Sequence, residues 1–197
     1  MTATDGTVLR HAGIDRWFHW GMAVTMLLLL VTSLLPILGI SFPWYGIHWV
    51  SGLVLTALIL LHIVRALFWQ RPRTMLLLSA EDFRSRGAGK YTLPQKLMHL
   101  AWAVAILVVI VTGLLLLPKA GFPLMERDPY GRSLQGWGVI TVLHDLAALA
   151  SVFLVLVHAY FGILPEKRAY LRAMFRGFIR RSELAVEHDL RRVDRGE

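Results

Sequence analysis

Residues 136–165 read GWGVITVLHDLAALASVFLVLVHAYFGILP. One charge, Asp145, stands near the beginning, and from Leu146 to Pro165 there is no Asp, Glu, Lys or Arg. A helix needs about 20 mostly apolar residues to cross the hydrocarbon core of a bilayer. This stretch is long enough, and Pro165 closes it. It therefore predicts a membrane helix over 136–164. Two histidines interrupt its apolar surface, His144 and His158, fourteen residues apart. Fourteen steps of about 100° fall roughly 40° short of four turns, so both rings share one face, about 21 Å apart along the axis.

The rest of the chain repeats the pattern. No charged residue lies between Arg16 and Arg65, and none between Lys96 and Lys119. The first window divides at Pro36, Gly39 and Pro43, so spans are predicted over 17–40, 47–69 and 94–117. Pro94 falls in a first helical turn, where a missing N–H costs little. The expected fold is all-α: an integral membrane four-helix bundle. Residues 1–165 form the membrane domain and 166–197 a basic tail. The first apolar run is too long for a signal-peptide core and no small-residue cleavage site follows it, so the first helix is expected to stay.

Composition agrees. Of 197 residues 56% are hydrophobic and only 17% are charged, against about 25% in soluble domains. A water-soluble globule is excluded, as are disordered and collagen-like chains. There is no cysteine, which excludes disulfides, Cys-ligated iron–sulfur clusters, thiolate zinc and thioether-linked haem.

Lys and Arg set the orientation. Eighteen lie in the N-terminus, the middle connection with its flanks, and the C-terminal tail; three (Lys119, Arg127, Arg132) lie in the connection after the third span. By the positive-inside rule both termini and the middle loop are cytoplasmic. Topology and anionic lipid account for the basic balance without nucleic acid. Trp44, Tyr45, Trp49, Trp69 and Trp137 sit near span ends and read as interfacial belts. In the tail, Tyr170, Leu171, Met174, Phe175 and Phe178 recur at helical spacing, which predicts an amphipathic helix on the cytoplasmic leaflet.

Ionisable groups inside a bilayer mark function, because burying them is costly. Eight histidines occur. His48, His62, His99, His144 and His158 stand inside or at the ends of spans, and His19 starts the first. His144 and His158 face the same way at opposite depths, the layout for two metal centres stacked across a membrane. On the periplasmic side the candidate partner of His144 is His48. On the cytoplasmic side His19, His62 and His99 all compete for His158. Spacing alone favours His62, since His48 and His62 are again fourteen apart, the pattern of the cytochrome b in quinol-oxidising bc complexes. Taken singly, His62 or His99 reads equally as an inter-helix hydrogen bond.

Ligands in separated pairs do not suit zinc, which wants four together. A porphyrin supplies four equatorial nitrogens and leaves two axial positions, so paired imidazoles suit b-type haem. Arg16 and Arg65 stand at the cytoplasmic helix ends, where propionates need cations. Asp15 is expected either to orient His19 or to pair with Arg16. Gly21 near His19, and Ser51 and Gly52 after His48, leave room for a flat macrocycle.

At these residues the chain resembles the cytochrome b (gamma) subunit of respiratory formate dehydrogenase, within the bacterial four-helix di-haem cytochrome b superfamily. Ile14-Asp15-Arg16-Trp17-Phe18-His19-Trp20 is similar to its I-D-R-x-x-H-W opening. Gly89 to Lys96, reading GKYTLPQK, resembles its G-K-Y-N-x-x-Q-K, and Val111-Thr112-Gly113 its V-T-G. His144 to His158 matches its paired-His helix, and Met174, Gly177 and Arg180-Arg181 its post-helix stretch. The resemblance implies two haem b groups, held by His48 with His144 and by His19 with His158. It displaces His62. It also implies a cytoplasmic-side quinone site at the start of the third span, where Gln95 matches a polar residue and Thr92 stands where Asn is usual. His99, one turn on, would bind quinone or deliver protons.

The expected function is a membrane subunit of an oxidoreductase complex in the bacterial inner membrane. It would pass electrons from a periplasmic iron–sulfur subunit, itself fed by a molybdenum or tungsten subunit, to menaquinone or ubiquinone. Dehydrogenase chemistry would belong to the partner, and the complex could form a higher oligomer. The same bundle would serve a hydrogenase, a thiosulfate reductase or another periplasmic oxidoreductase. A His-lined metal or proton transporter would need a polar path, and the span interiors offer little beyond the histidines. A plain anchor would need no paired histidines.

Overall fold

The structure, a computed structural model, describes residues 6–69, 78, 83, 91–188 and 190. The Arg71-Pro72-Arg73 stop, the Gly89-Lys90 part of the third-span lead-in and the tail beyond Leu190 lie outside the described residues.

Four long helices carry the chain: α1 (Gly13–Ile37), α2 (Trp44–Trp69), α3 (Leu93–Ala120) and α4 (Leu134–Ile163). Each is long and apolar enough to cross a membrane, with mean hydropathy between 2.0 and 2.9 over its best window. Local chemistry sets their ends. At α1 Gly39 adopts a left-handed φ of 82°. Its N–H bonds the Pro36 carbonyl at 3.0 Å and the Ile40 N–H bonds the Leu35 carbonyl at 3.0 Å, a Schellman closure that only glycine adopts without strain. At α3 the Gln95 side-chain oxygen accepts the Thr92 backbone N–H at 3.0 Å, one half of a capping box. At α4 the Ser133 hydroxyl accepts the Gly136 N–H at 3.1 Å, as an N-cap residue does. The predicted end of the third span at 117 falls short, because the helix continues through Pro118 to Ala120. Proline in a last turn loses one hydrogen bond at most.

The chain forms two compact units. One comprises Gly21–Leu61 and Trp102–Val155. In it all four helices meet around Met26, Leu29, Leu30 and Leu55, with Ile59, Trp102, Ile106, Val152 and Val155 packed on them. Hydroxyls inside the spans are satisfied by their own helices: Thr25, Thr56, Thr141 and Ser151 each donate to the carbonyl four residues back, at 2.8–2.9 Å. Leu27, Leu60, Leu107 and Leu149 are exposed, as lipid-facing positions are. Trp137, near the start of α4, is turned into the protein. It is 3% exposed, its indole N–H donates to the Pro129 carbonyl at 2.8 Å, and Lys119 and Arg132 lie over its ring. It anchors the connection between α3 and α4.

The other unit comprises Met1–Trp20, His62–Ala101 and Leu156–Glu197, so it joins the start of the chain to the tail across the expected boundary at 165. Strand β1 (Thr7–Leu9) pairs antiparallel with β2 (Phe178–Arg180), Val8 opposite Ile179. A 3-10 turn (Pro165–Lys167), α5 (Arg168–Arg176) and α6 (Arg181–Leu184) complete it. Ala173, Ile179 and Leu184 form its core, with Val8, Ala169, Tyr170 and Leu190 around them. The apolar periodicity predicted through Phe178 therefore breaks. Gly177 turns left-handed at φ 90°, its carbonyl accepts the Arg10 and His11 N–H groups at 2.8 and 3.1 Å, and Phe178 enters a strand. Any Cβ on Gly177 would sit 3.0 Å from the His11 carbonyl oxygen.

Charges hold this unit as well. Arg172 donates to both carboxylate oxygens of Glu183, at 2.6 and 2.5 Å, and that bond holds the Glu183 carboxyl below its ordinary pKa. Burial and the neighbouring Glu187 charge raise the Tyr170 phenol, while burial lowers Arg10, whose guanidinium lies 5.9 Å from the Tyr170 ring centre.

Candidate haem-binding site

Two pairs of imidazoles form, one in each unit. His48 of α2 faces His144 of α4 with ring centres 6.4 Å apart. His19 of α1 faces His158 of α4 with ring centres 6.1 Å apart. Neither pair is a direct hydrogen bond, and the separation is informative. A histidine nitrogen sits about 2.0–2.1 Å from a bound metal. With each ring centre about 1 Å behind its nitrogen, two imidazoles on opposite sides of one metal need centres roughly 6 Å apart. Both pairs meet that spacing. Among the described residues no three His, Cys, Asp or Glu converge on a metal position, so these ligand sets are pairs, as a porphyrin requires.

The hydrogen bonds around His48 and His144 sharpen the assignment. Thr32 Oγ1 lies 2.9 Å from His48 Nδ1, and Thr112 Oγ1 lies 2.8 Å from His144 Nδ1. Each hydroxyl proton is already committed to its own helix, Thr32 to the Leu28 carbonyl at 2.7 Å and Thr112 to the Val108 carbonyl at 2.6 Å. A hydroxyl that gives its proton to its own helix accepts from the ring, and in that arrangement Nδ1 of each ring carries the proton. The network thereby assigns the tautomer that leaves Nε2 as a lone pair, the form a metal binds. Gly113 completes the arrangement: a Cβ there would meet His144 Cε1 at 3.3 Å. The Thr-Gly pair in α3 thus supplies an acceptor and the room for the ring. Neither threonine was singled out from the sequence as a ring anchor. The available signal was a polar residue inside each charge-free run.

The second pair is supported differently. The Trp20 ring stands edge-on to His19 with centres 5.1 Å apart, its N–H donates to the Met174 carbonyl at 3.3 Å, and its ring contacts Phe175 at 4.7 Å. His19 Nδ1 is buried and has no hydrogen-bond partner among the described residues.

The remaining expected residues fall into place around this end. His62 does not face His158. It lies against Phe18, ring centres 6.0 Å apart, within electrostatic range of Asp15 and Arg65, and His99 is within range of His62. Asp15 pairs with Arg65, a partner not among the two expected for it, His19 and Arg16. Arg16 instead donates to the Phe175 carbonyl, reaching from α1 to the end of α5. Both arginines keep further N–H donors, since a guanidinium carries five. Gln95 commits its oxygen to the α3 start and retains its amide N–H groups. His62 Nδ1 and His99 Nδ1 are buried without partners among the described residues.

A family model described as prokaryotic cytochrome b561 matches residues 10–177. The chain belongs to the prokaryotic cytochrome b561 family. The match runs from the residue after β1 to the Gly177 turn and so takes in all four helices and both histidine pairs. No curated protein matches the chain. A cytochrome b561 of this kind is a multi-pass bacterial membrane protein that binds haem b and serves as an electron-transfer subunit. The imidazole pairs fit that cofactor on their own geometry.

Proposed function

We propose that this cytochrome b561 binds two haem b groups and passes electrons from a periplasmic iron–sulfur partner to quinone, formate being the ultimate donor. The observation that carries the reading is the pair of imidazole separations, 6.4 and 6.1 Å. His48 with His144 and His19 with His158 would hold the two groups. Haem supplies reversible one-electron chemistry when bound. Arg16 and Arg65 offer donors to propionates at the His19 end. Both termini are cytoplasmic, with the first pair toward the periplasm and the second toward the cytoplasm.

The balance is simple. The partner's molybdenum or tungsten subunit oxidises formate to carbon dioxide, releasing one proton and two electrons. Quinone takes two electrons and two cytoplasmic protons and leaves as quinol. Inward electron transfer stores about 2.3 kcal/mol per charge per 100 mV. Quinone would bind at the start of α3, where Thr92, Gln95 and His99 stand together in sequence. His99 Nδ1 and His62 Nδ1, buried without hydrogen-bond partners among the described residues, support a role there in hydrogen bonding or proton delivery.

The test is a reduced-minus-oxidised visible spectrum of the purified chain, with haem counted as the pyridine adduct. Two haems per chain are expected, and one in each of His48→Ala and His19→Ala. A colourless, fully inserted protein overturns the reading. Membranes holding the whole complex then decide the donor. Haem reduction by formate supports the formate dehydrogenase reading, and reduction by hydrogen alone replaces it with a hydrogenase subunit.

A further inference from the structure

The two histidine pairs are not equivalent, and the difference lies in hydroxyl groups behind the rings. His48 and His144 each have Nδ1 against a threonine, at 2.9 and 2.8 Å. Both threonines donate onward to helix carbonyls at 2.7 and 2.6 Å. A hydroxyl that donates strongly becomes a better acceptor, because hydrogen bonds in a chain polarise one another. An imidazole that donates from Nδ1 is in turn a more basic ligand at Nε2. Thr32 is 2% exposed and Thr112 is 5% exposed, so the effect is not diluted by water. His19 Nδ1, also buried, has no partner among the described residues.

Resting on the haem-ligand reading above, we propose that Thr32 and Thr112 are positioning residues that set the electron-giving end of the protein. They lock His48 and His144 in the ligating tautomer and make them stronger donors than His19. A stronger imidazole donor would favour the oxidised form of the group it holds, so a haem held by His48 and His144 would have the lower reduction potential. That difference directs electrons toward the His19/His158 centre.

The experiment is a potentiometric titration of visible spectra on Thr32→Val, Thr112→Val, the double variant and the serine variants, each with haem counted. Valine keeps the shape and removes the hydroxyl acceptor, leaving each ring only the backbone carbonyl beside it, Leu29 for His48 and Val109 for His144. Expected in each valine variant is an upward shift of one potential, equivalent to about three- to tenfold in its reduction equilibrium, the range a single net hydrogen bond spans. One electron makes tenfold equal to 59 mV. The shift is larger in the double variant, the second potential stays in place, and serine restores the first. The haem that shifts is the one missing from His48→Ala. Loss of that haem in the valine variants with retention in the serine variants supports the same role through tautomer locking. Two bound haems with unchanged potentials, a downward shift, or equal shifts of both overturn the proposal while leaving the ligand reading intact. Two haems retained in His48→Ala overturn the ligand reading itself.

Discussion

Gly113→Ala separates helix stability from ring placement. In an exposed helix interior, glycine to alanine gains about 1 kcal/mol, so the bare fold should hold or strengthen. The added Cβ, however, would stand 3.3 Å from His144 Cε1, inside ordinary van der Waals contact. His144 cannot simply swing away, because its Nδ1 is fixed to Thr112 in the same turn of α3. Small-to-large changes in a packed site typically cost about 1–3 kcal/mol. Applied to a ligand held by that ring, this is a loss of about 5- to 150-fold in affinity. Gly113→Ala should therefore bind its His48/His144 haem weakly, and Gly113→Leu should not bind it at all. The assay is the haem-to-protein ratio during graded haem withdrawal, read beside thermal unfolding of the haem-free chain. A falling ratio with undiminished unfolding temperature is the expected result. Full occupancy of both haems in Gly113→Leu, with wild-type spectra, would show that His144 does not need the space and would refute the reasoning.

Other expectations are as direct. His62→Ala should keep both haems, whereas His158→Ala should lose one; haem counting in membranes decides, and a haem lost from His62→Ala would restore the spacing-based pairing. Trp20→Leu removes both the ring against His19 and the bond to the Met174 carbonyl; hydrogen exchange over 168–176 should accelerate, and unchanged protection would contradict a holding role for Trp20. The Glu183 carboxyl has its pKa depressed by Arg172 in the fold. Its contribution is present above the ordinary carboxylate range and is lost as pH falls through the depressed value. Protection over 168–184, taken relative to the intrinsic exchange rate at each pH, should therefore fall with acidification, and Glu183→Gln should flatten that dependence; identical protection profiles would dismiss the pair.

The four spans were legible because a bilayer forbids unpaired charge over a long window, and the charge-free runs left no other reading. Their ends shifted by up to four residues, since capping groups rather than hydropathy set them: Ser133 starts α4 and Gly39 closes α1. The pairing of His48 with His144 was legible from depth alone. The partner of His158 was not, because three histidines shared its depth and helical periodicity does not fix rotation between helices. The Asp15–Arg65 pair was missed for the same reason, being fifty residues apart in sequence. The tail resisted reading most. Its apolar periodicity through Phe178 was real, yet Gly177 redirects the chain into a strand whose partner, Thr7–Leu9, lies at the other end of the molecule.

That pairing bears on how the site is kept. His19 follows Arg16 by three residues and precedes Trp20, and both neighbours are tied to backbone carbonyls at the end of α5. The carbonyls of a last helical turn have no partners within their helix, so donors from α1 satisfy groups that would otherwise be left open. The same contacts limit the rotation of α1 about its axis and with it the direction of the His19 ring. Among the described residues no hydroxyl behind Nδ1 performs that duty for His19, as Thr32 does for His48. His48 and His144 are thus oriented by hydrogen bonds on the rings themselves, and His19 through the backbone that carries it. The first arrangement tunes the ligand nitrogen as well as placing it; the second places it only. On the reading proposed above, two chemically alike ligand sets are made unequal by neutral groups buried in the spans, without added charge.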